Sequence, residues 1–545
     1  MPNNPSITPE TTCQRGPQRQ PDRLRILFAT PECYPLIKRG GLGDAADGIT
    51  KQINYLGHDA RLILPAYPEA RERALGLRTL LELPVRPTHR IPVGGARLLV
   101  GSIPGRSTPV YLVDIPSLYD FPGAPYDQNH QIDQGVQEDG RHGATQQQTL
   151  DARRFGVFCE VVAQLAQQGI TGWRPDLVHC NDWPTALVPA LLSDAPESPA
   201  SVFSIHNLAY QGVFPEQAFS ELGLPQHFWS PDGLEFYGQL SFIKGGLGYA
   251  DQITTVSPSY ARQILTPEYG EGLEGVLAQR ATHLTGILNG VDYDVWNCAR
   301  DPLIESRYDL TSLSGKLPNK IELQQGFGLP CDPDVPVLGF VGRLVEQKGV
   351  DLLLEILPDL LARSVQLVVL GSGNSELEQR LAAAARTYRN GLGVYLGYDE
   401  RRAHQIIAGA DLLVMPSHFE PCGLTQLYAL RYGTLPLVHL TGGLADTVQP
   451  LPSQVGTPAS QNSGPPSETV ASAPAARSAT GFGYIDNTRK GLLRCLDQAL
   501  GIYQTPSWRT LQIRGMKLRF SWKSSAKSYL KVYHNALEQH RRINP

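Results

Sequence analysis

Glu420 stands just before Cys422-Gly423-Leu424-Thr425, and the helical pattern that follows runs from Gln426 to Tyr432. Backbone N–H groups at a helix start, approached through a glycine, suit an anion such as a phosphate. A carboxylate held beside them accepts hydrogen bonds from hydroxyl groups. Such a carboxylate repels the anion unless cations come from elsewhere, and two positions supply them. Arg343 and Lys348 are five residues apart across a turn, so a planar fork and a point charge can converge on one diphosphate. Far upstream, Lys38 precedes Gly40, Gly41 and Asp44. There two glycines let backbone approach an anion, and a helix from about Ala45 to Tyr55 adds the positive end of its dipole. Each group taken alone fits a plainer reading as well: an incidental Glu in a loop, a pair of solvated charges, or a Gly-Gly-Leu turn of the kind that recurs at Gly245–Leu247 and Gly442–Leu444 without a fixed period.

The elements that must position these residues are short apolar runs with the length of buried parallel strands. Leu24–Ala29, Arg61–Leu64, Val110–Val113, Asp176–Cys180, Val202–Ile205, Gln252–Pro258 and Gly286–Asp292 make a first set, with a polar, hairpin-like region between the second and third. Val337–Val341, Gln366–Gly373, Val394–Leu396 and Asp411–Met415 make a second. Helical stretches alternate with them, which predicts an α/β fold with doubly wound sheets and ligands outside the carboxyl ends of the strands. Lys38, Arg343, Lys348 and Glu420 all fall at such ends. The two units meet near Asn289–Arg300, where Asn-Gly and scattered polar residues break the apolar pattern.

With 545 residues, 41% of them hydrophobic and 18% charged, the chain is globular and too long for one core. The division expected is a disordered tail over 1–22, a first domain over 23–295, a second over 296–515, and a C-terminal helix over 516–545 that packs back on the first. Residues 127–149 lack apolar periodicity and read as a mobile surface loop, and the Pro- and Ser-rich stretch 450–480 reads as a disordered insertion. From Gly481 a helical pattern resumes. A net charge of −4 gives no reason to expect nucleic acid or an anionic membrane as partner, and no run of about 18 apolar residues suggests a membrane span. Eight cysteines without paired spacing fit reduced thiols in a cytoplasmic protein. No metal-site signature is present, so neither metal nor cofactor is expected.

Read in order, the segments PSHFEPCGLTQLYALRYGTLPLV with TGGLADTV, Lys38-Arg39-Gly40-Gly41-Leu42-Gly43-Asp44, and Arg343-Leu344-Val345-Glu346-Gln347-Lys348-Gly349 resemble the donor-site motifs of bacterial glycogen synthases and plant starch synthases. The resemblance runs from about Arg25 to Tyr533, apart from the loop and the insertion. It implies two facing Rossmann-like domains of the GT-B type with a deep cleft between them. It also implies transfer of glucose from ADP-glucose, as co-substrate, to the non-reducing end of an α-1,4-glucan, glycogen or starch, with retention of configuration. Carried over by motif, Arg343, Lys348 and Glu420 take the catalytic positions. Lys38, Gly40, Gly41, Asp44, His206, Cys422, Gly423, Leu424 and Thr425 line the substrates, and Tyr398 stacks on the adenine, with a surface-packed Tyr as the alternative.

Two positions depart from the family pattern. Leu150 stands where an Asp is usual, in Leu150-Asp151-Ala152-Arg153-Arg154-Phe155, which puts acceptor-side contacts in question. In His179-Cys180-Asn181-Asp182-Trp183, Asn181 replaces the second His of the bacterial pattern, as in plant enzymes. An amide there can bond a sugar hydroxyl but cannot titrate near neutrality. His179 and Trp183 read as packing residues. Two other readings stay open: another nucleotide-sugar transferase on the same fold, and a catalytically weak glucan-binding or priming homologue.

Overall fold

The computed structural model describes residues 23–83, 96–106, 108–120, 141–452 and 478–544. In the first domain the strands are β1 (Arg25–Ala29), β2 (Asp59–Pro65), β3 (Leu75–Glu82), β4 (Arg97–Ser102), β5 (Pro109–Asp114), β6 (Leu177–Asn181), β7 (Ala200–Ile205), β8 (Val213–Pro215), β9 (Glu235–Phe236), β10 (Gln239–Ser241), β11 (Gln252–Thr255) and β12 (Leu284–Gly286). Nine of them form one sheet in the order β12-β11-β7-β6-β1-β2-β5-β4-β3. It is parallel except where β4 pairs antiparallel with β3 and β5. β6 and β7 are buried along their whole length, as parallel strands covered on both faces must be, and their runs are mainly apolar, with His179, Asn181, Ser201 and Ser204 as buried polar members. From β1 the chain winds outward through β2 and β5, and from β6 it winds the other way, so the strand order reverses between β1 and β6. A crevice opens at the carboxyl ends of such a pair.

The second domain repeats the device with β13 (Val337–Val341), β14 (Gln366–Gly371), β15 (Leu392–Leu396), β16 (Leu412–Met415), β17 (Leu435–His439) and β18 (Phe482–Tyr484). All are parallel, in the order β15-β14-β13-β16-β17-β18. Here the reversal lies between β13 and β16, whose following loops carry Arg343, Lys348 and Glu420. The C-terminal helix Trp522–Ile543 packs on the first domain: Tyr529, Tyr533 and Ala536 join its core, and the Tyr533 hydroxyl bonds His179 Nδ1 at 2.8 Å. The Trp522 indole lies against Gly48, where any side chain would collide with it.

Several expectations are corrected. Residues 141–149, read as loop, begin the helix Arg141–Gln168. Apolar periodicity reports burial of a face rather than helicity, and Gln and Ala are good helix formers. Residues 127–140, 1–22 and 453–477 lie outside the described residues. The run Gly286–Asp292 is not a strand beyond Gly286, and Val291 instead makes an isolated bridge to Ser521. β17 was not anticipated, and β18 occupies Phe482–Tyr484 where a helical pattern was expected, with the helix starting only at Arg489. The ends of 450–480 are structured: Leu451 N donates to Gly481 O at 2.9 Å, Thr480 N to Gln449 O at 2.8 Å, and Ala479 is fully buried.

Candidate functional site

On the second domain the chain leaves β13 into a turn and leaves β16 into Pro416–Leu424, and the two loops meet. Lys348 Nζ lies 2.6 Å from Glu420 Oε2, to which Ser417 Oγ also donates at 3.2 Å. Glu420 is buried, so the pair neutralises a carboxylate that would otherwise repel an anion. Gly349 and Gly423 both sit at positive φ, +70° and +71°, conformations that glycine adopts without steric cost. Cys422 is buried and its thiol is pushed up to about 12 by that burial, so it is no nucleophile. Gly423 and Leu424 lead into the helix Thr425–Tyr432, whose N-terminus has no side-chain cap. Tyr398 projects from the loop after β15, 73% exposed as a residue, with its hydroxyl donating to Glu400. Glu400 is itself held down at about 2, first by the His404 ring and then by Tyr398 and Lys38.

On the first domain the chain leaves β1 into Thr30–Gly40, and Gly40 is the N-cap of the helix Gly41–Tyr55. The glycines thus form the helix start itself rather than a loop before it. Lys38 Nζ lies 2.8 Å from Asp44 Oδ2. Burial pulls the Lys38 pKa down, but Asp44, with Glu400 and Glu32, raises it on balance. Glu32, fully buried, accepts from the backbone N–H groups of Arg39 and Gly40. Burial pushes its carboxyl up to about 7 against those two bonds.

Asn181 ends β6 across the crevice from β1. Its Nδ2 donates to Ala29 O at 3.0 Å and to His179 O at 3.4 Å, and Oδ1 lies 3.0 Å from His206 Nε2. The side chain is fully buried, so the expected bond to a sugar hydroxyl is corrected: the amide is already spent on protein groups. Carbonyl oxygens only accept, so the nitrogen must face them and the oxygen must face His206. His206 is therefore protonated at Nε2, and because burial holds its pKa near 3 the ring is neutral with Nδ1 as an acceptor. Asp182 completes the turn at φ +56° and takes the His206 N–H at 2.7 Å. Strain of this kind collects at functional sites. His179 is buried between Tyr533 and Ser204, and Trp183 packs edge-on to Phe155, Phe214 and Phe242, as packing residues do.

The two crevices face each other. A methyl group at Gly41 would lie 3.4 Å from Leu424 Cδ1, so the first helical residue after the Gly40 cap meets the helix start of the other domain. Arg343 Nη1 donates to the Tyr210 hydroxyl at 2.6 Å, and Asn207 Nδ2 to Gln347 Oε1 at 3.4 Å. Tyr210, Asn207, Gln347 and Glu32 are the site residues that the sequence reading left off. Tyr210 and Asn207 lie in the segment that follows β7, but nothing in one sequence tells which domain a side chain will reach. Leu150 keeps its departure from the family pattern, and its neighbour Asp151 is buried and lies 3.0 Å from Arg154 Nη1.

This pair of crevices, with cations and one carboxylate on the second domain and a lysine at a helix start on the first, defines a two-domain glycosyltransferase of the GT-B type. The starch synthase catalytic domain family matches residues 25–279 and the glycosyl transferases group 1 family residues 325–460. Glycogen synthase 2 of Nitrosococcus oceani is 47% identical over 94% of this chain and 98% of its own length, and the glycogen synthase of Cellvibrio japonicus is 46% identical over 94% and 99%. The catalytic domain of starch synthase IV from Arabidopsis thaliana, solved with ADP and acarbose, superposes with a TM-score of 0.80 at 30% identity, covering 95% of this chain and 100% of that one. A sucrose-phosphate synthase from Thermosynechococcus elongatus, 14% identical with a TM-score of 0.54, shares the fold. The chain belongs to the family of glycogen and starch synthases.

Proposed function

We propose that this chain transfers the glucosyl group of ADP-glucose to the 4-hydroxyl at the non-reducing end of an α-1,4-glucan, with retention at the anomeric carbon. The observation that carries the reading is the Lys348–Glu420 pair at 2.6 Å, with Arg343 on the same loop and the Gly40–Asp44 helix start facing it. A diphosphate laid across Arg343, Lys348 and that helix start gains negative charge as the bond from glucose C1 to the phosphate oxygen breaks. Fixed cations stabilise the departing ADP most at that point. Releasing Lys348 towards the diphosphate frees Glu420 to orient the ring through its hydroxyls. The acceptor hydroxyl then forms the new C1–O bond and gives its proton to the departing diphosphate. Cleft closure keeps water, the competing acceptor, away. ADP rather than another nucleotide is supported by the ligand of the solved plant relative, with the exposed Tyr398 ring as the adenine platform.

No metal or cofactor enters this scheme, because two cations already serve the leaving group. Among the described residues no helix is long and apolar enough to cross a membrane, and seven cysteines are free, six of them buried, which supports a cytoplasmic placement. Asn181 no longer argues for a weakened homologue, since its amide has a structural task. Incubation with ADP-glucose or UDP-glucose, with and without glycogen, tests the reading. Elongation of glycogen from ADP-glucose is expected, and elongation from neither donor removes it.

A further inference from the structure

We propose that the hairpin Glu235–Ser241 carries a second contact for the acceptor glucan, with the Tyr237 ring as a platform for one sugar face outside the cleft. β9 and β10 are joined by the two-residue turn Tyr237-Gly238, with φ of +49° and +77°. A turn with both central residues at positive φ favours Asn-Gly or Asp-Gly. A bulky aromatic at its first position is out of place on conformational grounds alone. Yet Tyr237 stands there 83% exposed, with its ring edge-on to Phe236 at 4.7 Å. Single exposed apolar residues are common and need no explanation; an exposed ring held in a disfavoured conformation on a braced turn does.

The bracing is costly. Lys244 is buried, and its ammonium donates to Pro231 O at 2.6 Å and to Glu235 O beneath the hairpin. Glu235 Oε1 accepts from Gly238 N at 2.6 Å inside the turn, and Phe236 is wedged against Gly272, where a methyl group would lie 3.3 Å from its ring. Burying a charge to fix a surface hairpin makes sense where a rigid side chain at its tip is needed. The hairpin is also continuous with the cleft. β10 pairs with β8, Phe242 N donates to Gly212 O at 2.9 Å and Ile243 N to Gln211 O at 3.1 Å. Gly212 is two residues from Tyr210, which receives Arg343 across the cleft. A chain leaving the site along β8 meets the tip, since β8 spans about 10 Å.

The surroundings select the occupant. Besides half-buried Phe236, Tyr237 has Glu235 and Gln239 close by in the hairpin, which supply hydroxyl acceptors and donors, and the other large exposed apolar residues described belong to other elements. A flat ring with a polar rim matches a pyranose, which has C–H groups on its faces and hydroxyls at its edge. A protein partner would need a contiguous patch of about 800 Å².

The proposal rests on the glucan-acceptor reading, and the test separates the two. Tyr237→Asn removes the ring and suits the turn, while Tyr237→Phe keeps the ring. In the full chain, Tyr237→Asn is expected to raise the KM for glycogen about five- to tenfold with kcat and the KM for ADP-glucose unchanged. Tyr237→Phe stays near wild type, and maltotriose is used equally well by all three. Retardation of the three proteins in a glycogen-containing native gel, which needs no catalysis, should follow the same order. Equal retardation and equal glycogen KM for Tyr237→Asn and wild type overturn the platform. A wild type that elongates nothing from either donor overturns the functional reading, and the gel still decides the platform.

Discussion

Asn181 is spent on holding His206 in one tautomer, and that has a measurable cost when it is removed. Asn181→Ala leaves the His206 Nε2–H and the Ala29 carbonyl without their partner, and the protein should lose roughly 1–3 kcal/mol of stability, read as a lowered Tm. Asn181→His places an imidazole in a fully buried position, where burial depresses its pKa as it does at His206. Its pH–rate profile should therefore show no new inflection near the ordinary imidazole value of about 6.5. A new inflection there would mean the position is wet. Glu32 gives a second test with a defined sign. Its folded pKa, about 7, lies above the unfolded value of 4.5, so between those values the folded state binds more protons and the contribution to stability falls as pH rises. Glu32→Gln keeps an oxygen for the Arg39 and Gly40 N–H groups without the charge. Its Tm relative to wild type should rise from pH 5 to pH 8, by the equivalent of at most about 3 kcal/mol. A constant difference across that range would show that Glu32 does not titrate there.

At the scale of elements, the paired ends of 450–480 fix how the insertion can be trimmed. Removing 453–477 and joining the ends with a short Gly-Ser linker should leave folding and glucan synthesis nearly intact. Removing 450–480 takes away buried Ala479 and the Thr480–Gln449 and Leu451–Gly481 bonds and should lower the Tm markedly. Thermal scans with activity assays on both deletions check this, and equal stability of the two would show that the stem does no structural work. Strands such as β13 and β16 were legible because a parallel strand covered on both faces needs an unbroken apolar run. β18 was not, since its three residues include Gly483, follow Gly481, and gain their place only by pairing with β17. The cations and Glu420 were legible from type and spacing, and the family motif removed the plainer readings. Their partners were not legible: the Arg343–Tyr210 bond joins residues 133 apart, and the burial of Asn181 follows from three neighbours drawn from separate strands and loops.

For the whole molecule, the two domains are held face to face by further contacts besides the Arg343–Tyr210 and Asn207–Gln347 bonds. Ser257 Oγ donates to Pro421 O at 2.6 Å, Ser259 N and Oγ to the Asp446 carboxylate at 2.8 and 2.7 Å, and Gln263 Nε2 to Thr441 Oγ1 at 3.0 Å. The chain crosses between the domains where Val291 N donates to Phe520 O at 2.7 Å. These bonds fix the angle at which Gly41 meets Leu424, and so the distance between the helix start of one domain and the cations of the other. The central claim is that Lys348, paired with Glu420 in this geometry, stabilises the departing ADP during glucosyl transfer. The direct measurement is the initial rate of glycogen elongation from saturating ADP-glucose by wild type and by Lys348→Ala, with glycogen varied. The account predicts elongation by wild type, a fall in kcat of about 10²–10³-fold in the variant, and a glycogen KM changed little. A Lys348→Ala enzyme that keeps near wild-type kcat, or a wild type that transfers no glucose to glycogen, would contradict it.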